Sequence, residues 1–430
     1  MTAPLRVAIA GLGTVGGHVC ALLEKNRTLL EQRAERPVQL VGICARNKKK
    51  ARPFTRTTIP WFSDPCAMID ETNCDVAVEL IGGEDGIART FVEHALNKKC
   101  SVVTANKALL AKHGKHLFPL AEKQGCALAF EAAVGGGIPI IKSLRESLSG
   151  NHIYRITAIL NGTCNYILSQ MRAQRRSFQD VLEEAQRLGY AEADPSVDID
   201  GFDAAHKLAL LAALAWGTLD IDSLTIDGIR TITAEDMALS EKMGYRLKHI
   251  AQAYPAKTTI HQSVQTCLVR QDHALAHVDG VFNAVTFLSD FCGELTLIGL
   301  GAGGDATASA VVSDILDLAR GSHEHPSRVV LTATPTFPQA RIPTTETMPY
   351  YVRLHVDDRP GVLAEIATTL AHEHISIETA WQQATEQNDV ATLVIITHPS
   401  PSPSMHKAFA AVGTLKPVRQ APCLLPIINA

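Results

Sequence analysis

A chain of 430 residues, 46% hydrophobic and 20% charged, is too long for one ordinary core and too apolar for a disordered chain, so two or three folded domains are expected. A formal charge of -4 with only short basic clusters gives no electrostatic footprint for wrapping nucleic acid. No apolar run is long and clean enough to span a bilayer, and a first strand starting at Leu5 leaves no room for a signal peptide, so no membrane partner and a cytoplasmic location are expected. Ten cysteines spread through apolar segments, with no C-x-x-C, speak against a disulfide framework or a cysteine-built zinc site.

The β-rich run 5–10 ends on Gly11-Leu12-Gly13-Thr14-Val15-Gly16, and a helix is expected over 19–30. G-x-G-x-x-G is weak alone, but between a strand and a helix it is a dinucleotide fingerprint. Gly11 permits the tight turn, Gly13 lets backbone approach a pyrophosphate, and Gly16 lets helix and strand pack closely. The first-turn amides then face the phosphates. A glycine-rich turn without a ligand is the plain alternative. The next strand, 38–44, ends beside the adenosine ribose, where an NAD site usually carries an acidic residue. This chain reads Ala45-Arg46-Asn47-Lys48-Lys49-Lys50 instead. The guanidinium of Arg46 and the ammonium of Lys48 suit a 2′-phosphate, which favours NADP(H) over NAD(H), while Lys49 and Lys50 read as solvated loop.

Two further β-α steps follow: a strand over 76–81 ending in Gly82-Gly83 with a helix over 91–97, then a strand over 101–104 ending on Thr104 and leading to Ala105-Asn106-Lys107. Doubly wound sheets bind ligands at the carboxyl ends of their strands, where Asn106 and Lys107 sit, which makes Lys107 a functional candidate, with a structural role in capping or surface charge as the alternative. After a helix over 109–124 and a strand over 127–131 come Ala132-Ala133-Val134-Gly135-Gly136-Gly137-Ile138-Pro139. Three glycines before a proline place unusual backbone carbonyls near Glu131, and hard cations take such oxygens, although spacing alone specifies no metal.

From about residue 149 the pattern changes. A strand over 153–160 leads to Asn161-Gly162-Thr163-Cys164-Asn165-Tyr166, where Asn161 or Thr163 can cap a helix over 166–174, and its first amides suit a carboxylate ligand. An amphipathic helix over 178–188 delivers the chain to an acidic segment with Glu192, Asp194, Asp198, Asp200 and Asp203 ahead of one lysine, Lys207. If 202–216 is a helix, Asp203 and Lys207 share a face at the mouth of an otherwise apolar rod. That is a candidate for chemistry, with a surface ion pair as the bland alternative. Strands are expected at 259–269, 281–289 and 294–298, giving an α+β domain on one sheet that also carries a dimer contact. The run Gly299-Leu300-Gly301-Ala302-Gly303-Gly304 opens a helix over 308–319 that returns beside the cofactor. It is no P-loop, since no Lys-Ser or Lys-Thr follows. Residues 323–348 read as a linker by composition. A βαββαβ unit fits what remains, with strands at 350–356, 375–379 and 390–397, a helix over 362–373, and an irregular end over 422–430.

Taken together, the chain resembles homoserine dehydrogenase with a C-terminal ACT domain. The likeness is carried by GLGTVGG at 11–17, VVTANKALL at 102–110, EAAVGGGIPII at 131–141, NGTCNYIL at 161–168, GYAEADPSVDIDGFDAAHK at 189–207 and GLGAGGDATASAV at 299–311, with YYVRLHVDDRPGVLAEIA at 350–367 for the ACT part. The fold class it implies is α/β, with a Rossmann-type NAD(P)-binding domain at 1–148, an α+β catalytic and dimerisation domain at 149–300, a helix at 301–322 returning to the nucleotide-binding domain, the linker, and an ACT domain at 349–430. The activity implied is reversible NAD(P)-dependent interconversion of L-homoserine and L-aspartate 4-semialdehyde, in threonine, methionine and isoleucine synthesis. Lys207 falls at the acid-base lysine and Lys107 at a second essential lysine. Glu192, Asp198 and Asp203 fall where the family binds the amino group and orients the lysine, and Gly162 and Thr163 fall beside the substrate. The cofactor set is Gly11, Leu12, Gly13, Thr14, Val15, Gly16, Arg46, Lys48, Gly82, Thr104, Asn106, Lys107 and Gly303. Glu131, Val134, Gly136 and Ile138 correspond to a monovalent cation site, usually Na+. The ACT likeness implies amino-acid feedback, with threonine the expected effector, and a homodimer or homotetramer.

The resemblance agrees with the residues. An acidic cluster can neutralise the substrate ammonium, and a lysine can exchange a proton with the reacting oxygen, with Asp203 orienting it more than activating it. Two departures stand out: His206 replaces a second basic residue before Lys207, and Pro399-Ser400-Pro401-Ser402-Pro403 interrupts the approach to the last ACT helix. One rival, aspartate-semialdehyde dehydrogenase, needs an activated cysteine, and neither Cys126 nor Cys164 has a base nearby in sequence. The other, a non-catalytic amino-acid sensor, has no use for a lysine aimed at a reacting oxygen.

Overall fold

The computed structural model describes residues 3–54, 59–256, 259–321, 329, 331, 347–385 and 389–428, so nearly all of the stretch read as a linker lies outside the described residues. The N-terminal unit contains β1 (Leu5–Ala10), α1 (Thr14–Lys25), α2 (Arg27–Ala34), β2 (Val38–Cys44), β3 (Trp61–Phe62) and α3 (Pro65–Thr72). It continues through β4 (Val76–Glu79), α4 (Ile87–Asn97), β5 (Ser101–Thr104), α5 (Lys107–Gln124) and β6 (Leu128–Ala129). Six parallel strands stand in the order β3-β2-β1-β4-β5-β6. The order reverses between β1 and β4, so the glycine turn after β1 lies against the chain leaving β4. Contact there is close: at Gly11, with φ 95°, a Cβ would stand 2.2 Å from the Leu80 carbonyl oxygen. Val7, Ile9, Val78 and Val103 are fully buried, as strands covered on both faces require.

Three expectations need correction here. The helix read over 19–30 is two helices with a break at Asn26, and the first begins at Thr14, because Gly13 is its N-cap and no side chain closes that end. β4 stops at Glu79 rather than at 81, because the Glu79 carboxylate accepts the amides of Ile81 (2.8 Å) and Gly82 (3.1 Å) and turns the chain. Residues 131–133 form a 3-10 turn rather than a strand end, since the Glu131 amide donates to Asp314 (2.9 Å) and leaves the sheet.

The middle unit runs through α6 (Ile140–Lys142), β7 (Ile153–Ile159), α7 (Gly162–Gln174), α8 (Phe178–Arg187), α9 (Ser196–Ile199), α10 (Phe202–Trp216), β8 (Thr225–Ile226) and α11 (Ala234–Lys242). It closes with β9 (Tyr245–Ala256), β10 (Thr259–Arg270), β11 (Phe282–Ser289), β12 (Glu294–Leu300) and α12 (Gly304–Ala319). β9 and α11 were not expected; β9 pairs with β10 from Thr259↔Ala256 to Arg270↔Tyr245. α12 packs back on α1, where a Cβ on Gly304 would come within 2.2 Å of His18. Its Ala308, Val311 and Ile315 join the core of Val7, Ile9 and Val19.

The last unit is βαββαβ: β14 (Tyr350–Asp357), α13 (Val362–His372), β15 (Ile377–Ala384), β16 (Val390–Thr397), α14 (Ser402–Gly413) and β18 (Cys423–Ile428), with β13 (Thr347–Met348) paired to β17 (Ser400–Pro401). The proline-serine run does not interrupt α14: Pro403 stands in its first turn, where an amide hydrogen is not needed. Nor is the end irregular as far as residue 428, the last described. β18 pairs antiparallel with β14 and parallel with β10, through Leu268↔Ile427 and Val269↔Ile428, and so joins the middle and last sheets into one path. Pro422 and Pro426 hid this strand from its sequence. One sheet face, with Tyr351, Val394, Ile396 and Leu425, packs in a core with Ile167 of α7, Leu182 of α8 and Met237 of α11. The other face, with Val352, Leu354 and Ile395, packs on α13 and α14. Across the seam the buried Arg353 binds the buried Asp236 of α11 at 2.6 Å, and His355 reaches Glu235 at 3.0 Å.

Candidate active site

α10 is apolar and buried along nearly its whole length, so the charged groups of its first turns are conspicuous. Gly201, with φ 94°, turns the chain into it, and Asp203 and Lys207 come to one face. The Lys207 ammonium donates to Asp203 Oδ2 (2.7 Å) and to the Leu160 carbonyl at the end of β7 (2.7 Å). Lys107, at the start of α5 in the other domain, reaches Asp203 Oδ1 at 3.1 Å. One carboxylate, only 5% exposed, therefore holds two ammonium groups from two domains. Burial alone would raise the Asp203 pKa, but Lys207, Lys107 and the Asn161 amide outweigh it and hold the carboxyl well below its usual range. Lys107 is pushed up, first by the Asp203 charge.

Asn161 caps α7 through Cys164 N (2.7 Å), which leaves Thr163 inside the first turn and starts the helix four residues before expectation. The Asn161 side-chain nitrogen donates to Asp203 (2.9 Å) and to Asp198 (2.8 Å). The Thr163 hydroxyl donates to the Tyr190 carbonyl (2.8 Å) and lies 3.3 Å from Asp198. Burial, then the neighbouring Asp203, raises the Asp198 pKa. Gly162 has little room for a side chain, since a Cβ would stand 3.0 Å from the Val281 carbonyl. The rest of the acidic segment divides. Asp194 holds Ser196 N (3.1 Å), Asp200 pairs with Arg230, and Glu192 is exposed and acts on Lys107 through its charge.

On the cofactor side, Gly13 and Thr14 are exposed, and nothing lies within 4 Å of a Cβ built on Gly13. The first-turn amides of α1 carry no side-chain cap and so suit an anionic ligand. Arg46 and Lys48 are exposed on the loop after β2, and Gly82 and Gly303 are exposed with open space at their Cβ positions. The buried Glu79 was not anticipated. It takes the Thr104 hydroxyl at 2.5 Å, Thr104 Oγ1 takes the Asn106 amide at 3.0 Å, and the Asn106 side chain donates to Gly83 O at 2.7 Å and caps α5. This chain of bonds ends one residue before Lys107. A buried acid read as part of a parallel strand was the available signal. Asn283 was missed as well: fully buried, it donates to the same Leu160 carbonyl (2.9 Å) that Lys207 uses.

The Glu131 side chain is committed, its two oxygens accepting Ile141 N (2.9 Å) and Lys142 N (2.8 Å). Gly135 and Gly136 take positive φ of 74° and 55° beside it, and Val134 and Gly136 are buried. Among the described residues no cluster of three His, Cys, Asp or Glu could hold a metal ion, and no helix is long and apolar enough to cross a membrane.

Residues 11–131 match the family described as homoserine dehydrogenase, NAD binding domain, residues 139–316 match homoserine dehydrogenase, and residues 350–413 match the ACT domain. With its open glycine turn at a parallel-sheet switch point, the molecule is an NAD(P)-dependent oxidoreductase carrying an ACT domain. It is 42% identical over 421 residues to homoserine dehydrogenase of Neisseria gonorrhoeae and 41% over 428 residues to that of Pseudomonas aeruginosa, covering 96% of each chain in both cases. A crystal structure of homoserine dehydrogenase from Thiobacillus denitrificans superposes with a TM-score of 0.90 at 39% identity over 99% of both chains. A hyperthermophilic archaeal homoserine dehydrogenase in complex with NADPH matches at 0.63, with 29% identity over 73% of this chain and 97% of that one. The chain belongs to the homoserine dehydrogenase family.

Proposed function

We propose that the enzyme interconverts L-aspartate 4-semialdehyde and L-homoserine with a preference for NADP(H), Lys207 exchanging the proton on the reacting oxygen. The observation that carries this reading is the shared carboxylate, Asp203, with Lys207 and Lys107 on its two oxygens. Two ammonium groups held at one point can meet the charge of a developing alkoxide. Lys207 donates the proton as the aldehyde is reduced and takes it back in the reverse direction. Lys107, more exposed at 38%, supports the oxygen, and Asp203 holds both lysines in register. The amides of Gly162 and Thr163 receive the substrate carboxylate, and Asp198 with Glu192 receives its ammonium.

The bound nicotinamide supplies the hydride. Gly11, Leu12, Gly13, Thr14, Val15 and Gly16 offer backbone to its pyrophosphate, Arg46 and Lys48 receive the 2′-phosphate, and Gly82, Thr104, Asn106, Lys107 and Gly303 line the rest of the cofactor path. The NADPH complex of the archaeal relative supports NADP(H). For a monovalent cation, Na+ in the first place, the committed Glu131 side chain leaves backbone carbonyls at Glu131, Val134, Gly136 and Ile138 as donors. Neutral oxygens of that kind fit a hard, singly charged ion. Threonine is the proposed effector at the ACT domain. A homodimer or homotetramer is proposed, with Phe282, Phe291, Ile298 and Leu300 exposed on and beside β11 and β12 as support.

Initial rates with homoserine and each nicotinamide cofactor, with and without threonine, test reaction, cofactor and regulation in one series. Lys207→Ala should lower turnover by about 10²-fold or more, the scale of general acid-base catalysis. Full turnover in a correctly folded Lys207→Ala enzyme would remove the assignment.

A further inference from the structure

Arg52 lies beyond β2, outside any helix or strand and half-buried. Its guanidinium spans three backbone carbonyls: Nε donates to Leu12 (3.1 Å), Nη2 to Asn47 (2.8 Å) and Nη1 to Lys50 (2.8 Å). The same group lies over the Trp61 ring of β3, 5.2 Å from its centroid. Asn47 closes the loop from within, its side-chain oxygen accepting the amides of Lys49 (2.9 Å) and Lys50 (3.2 Å). The next residue, Pro53, stands against α1, where a Cβ on Gly17 would lie 3.1 Å from the proline ring.

The segment that bears Arg46 and Lys48 is therefore not a loose basic loop. It is tied to Leu12, the middle residue of the Gly11-Leu12-Gly13 turn. Two anion-facing features, the first-turn amides of α1 and the basic pair, are held at a fixed separation by one planar fork. A lysine could satisfy one of the three carbonyls but cannot span them. A loop already ordered loses little freedom when a phosphate arrives, whereas a cofactor lacking that phosphate draws no benefit from the order.

Resting on the NADP(H) reading above, we infer that Arg52 is a specificity-determining positioning residue: it presents Arg46 and Lys48 to the 2′-phosphate by anchoring their loop to the pyrophosphate turn. The test uses Arg52→Lys and Arg52→Gln in the full chain, with NADPH and NADH affinities from fluorescence titration and initial rates with each cofactor. NADPH affinity should fall about tenfold, roughly the worth of one charge-assisted hydrogen bond, while NADH affinity and kcat at saturating NADPH change by less than about twofold. Equal losses for both cofactors would overturn the inference, because the tie would then shape only the pyrophosphate turn. Unchanged NADPH affinity in both variants would overturn it too. If the unsubstituted enzyme shows no preference for NADPH, the reading of Arg46 and Lys48 fails by itself. The positioning role is then decided by amide exchange at residues 47–50, where faster exchange in Arg52→Lys sustains it and unchanged exchange removes it.

Discussion

Asp203→Asn separates the electrostatic role of the shared carboxylate from its shape. Asp203 is 5% exposed and accepts from Lys207 at 2.7 Å, Lys107 at 3.1 Å and Asn161 at 2.9 Å. An amide of the same size offers one acceptor oxygen and points an N–H₂ group at a donor. Breaking a buried ion pair from one side costs about 3–5 kcal/mol, and here two cations lose their partner. The carboxyl is held below its ordinary value, so its stabilising contribution is complete above a pH of about 4 and is lost as pH falls through the folded value. Urea denaturation at a series of pH values should therefore show a constant gap between the enzyme and its variant from about pH 5 to 8, narrowing below about pH 4. The Asp203 charge is also the first cause of the raised Lys107 pKa, so the alkaline limb of kcat/KM for homoserine should move to lower pH, with turnover down about 10²-fold or more. A gap that widens toward acid, or an unchanged rate profile, would refute the reasoning.

Asp198→Asn acts in the opposite sense: the Asp198 pKa is raised, so the ionised group opposes folding at neutral pH, and the variant should melt no lower than the parent while KM for homoserine rises about tenfold with the loss of a charged contact. Asp314 is buried and pushed up to about 7 by burial and by Glu131, so its cost to stability grows as pH rises from the unfolded carboxyl range, about 4, to that value and levels off above it. Asp314→Asn keeps an acceptor for Glu131 N and should stabilise at pH 8 by up to about 4 kcal/mol, with little gain at pH 4; equal gains at both values would contradict this. Arg353→Met leaves Asp236 buried without its cation and should cost about 3–5 kcal/mol by chemical denaturation. A change below about 1 kcal/mol would show that the seam does not depend on the pair.

Much of the fold is legible because buried elements read as apolar runs: the strand β5 and the helix α10 fall at their expected limits, as does the partly exposed β2. The misses share a cause. β9 carries Lys248, His249 and Gln252, buried polar groups that break its pattern, and β18 is punctuated by Pro426. α1, α4, α5 and α7 each start ahead of their apolar periodicity, because a capping residue or a glycine begins the helix first. In the candidate site, Lys207 and Asp203 were visible as neighbours on one face, but nothing local says that Lys107 meets them, because that contact joins two domains. Glu79 shows itself in the sequence only as an acid inside an apolar strand, and Asn283 not at all, because each acts through a hydroxyl or carbonyl distant in sequence.

β18 gives its edges to two partners at once, β10 on one side and β14 on the other. The ACT unit is thus sewn into the sheet of the middle unit rather than hung from it by the chain alone. The Arg353–Asp236 contact adds a second connection, to α11, which packs on the helix whose first turn holds Gly162 and Thr163, so the ACT sheet is joined to the substrate side of the site both by shared backbone and by a buried ion pair. Such stitching makes the two sheets one continuous girder, so a disturbance at either end has a covalent and hydrogen-bonded route to the other.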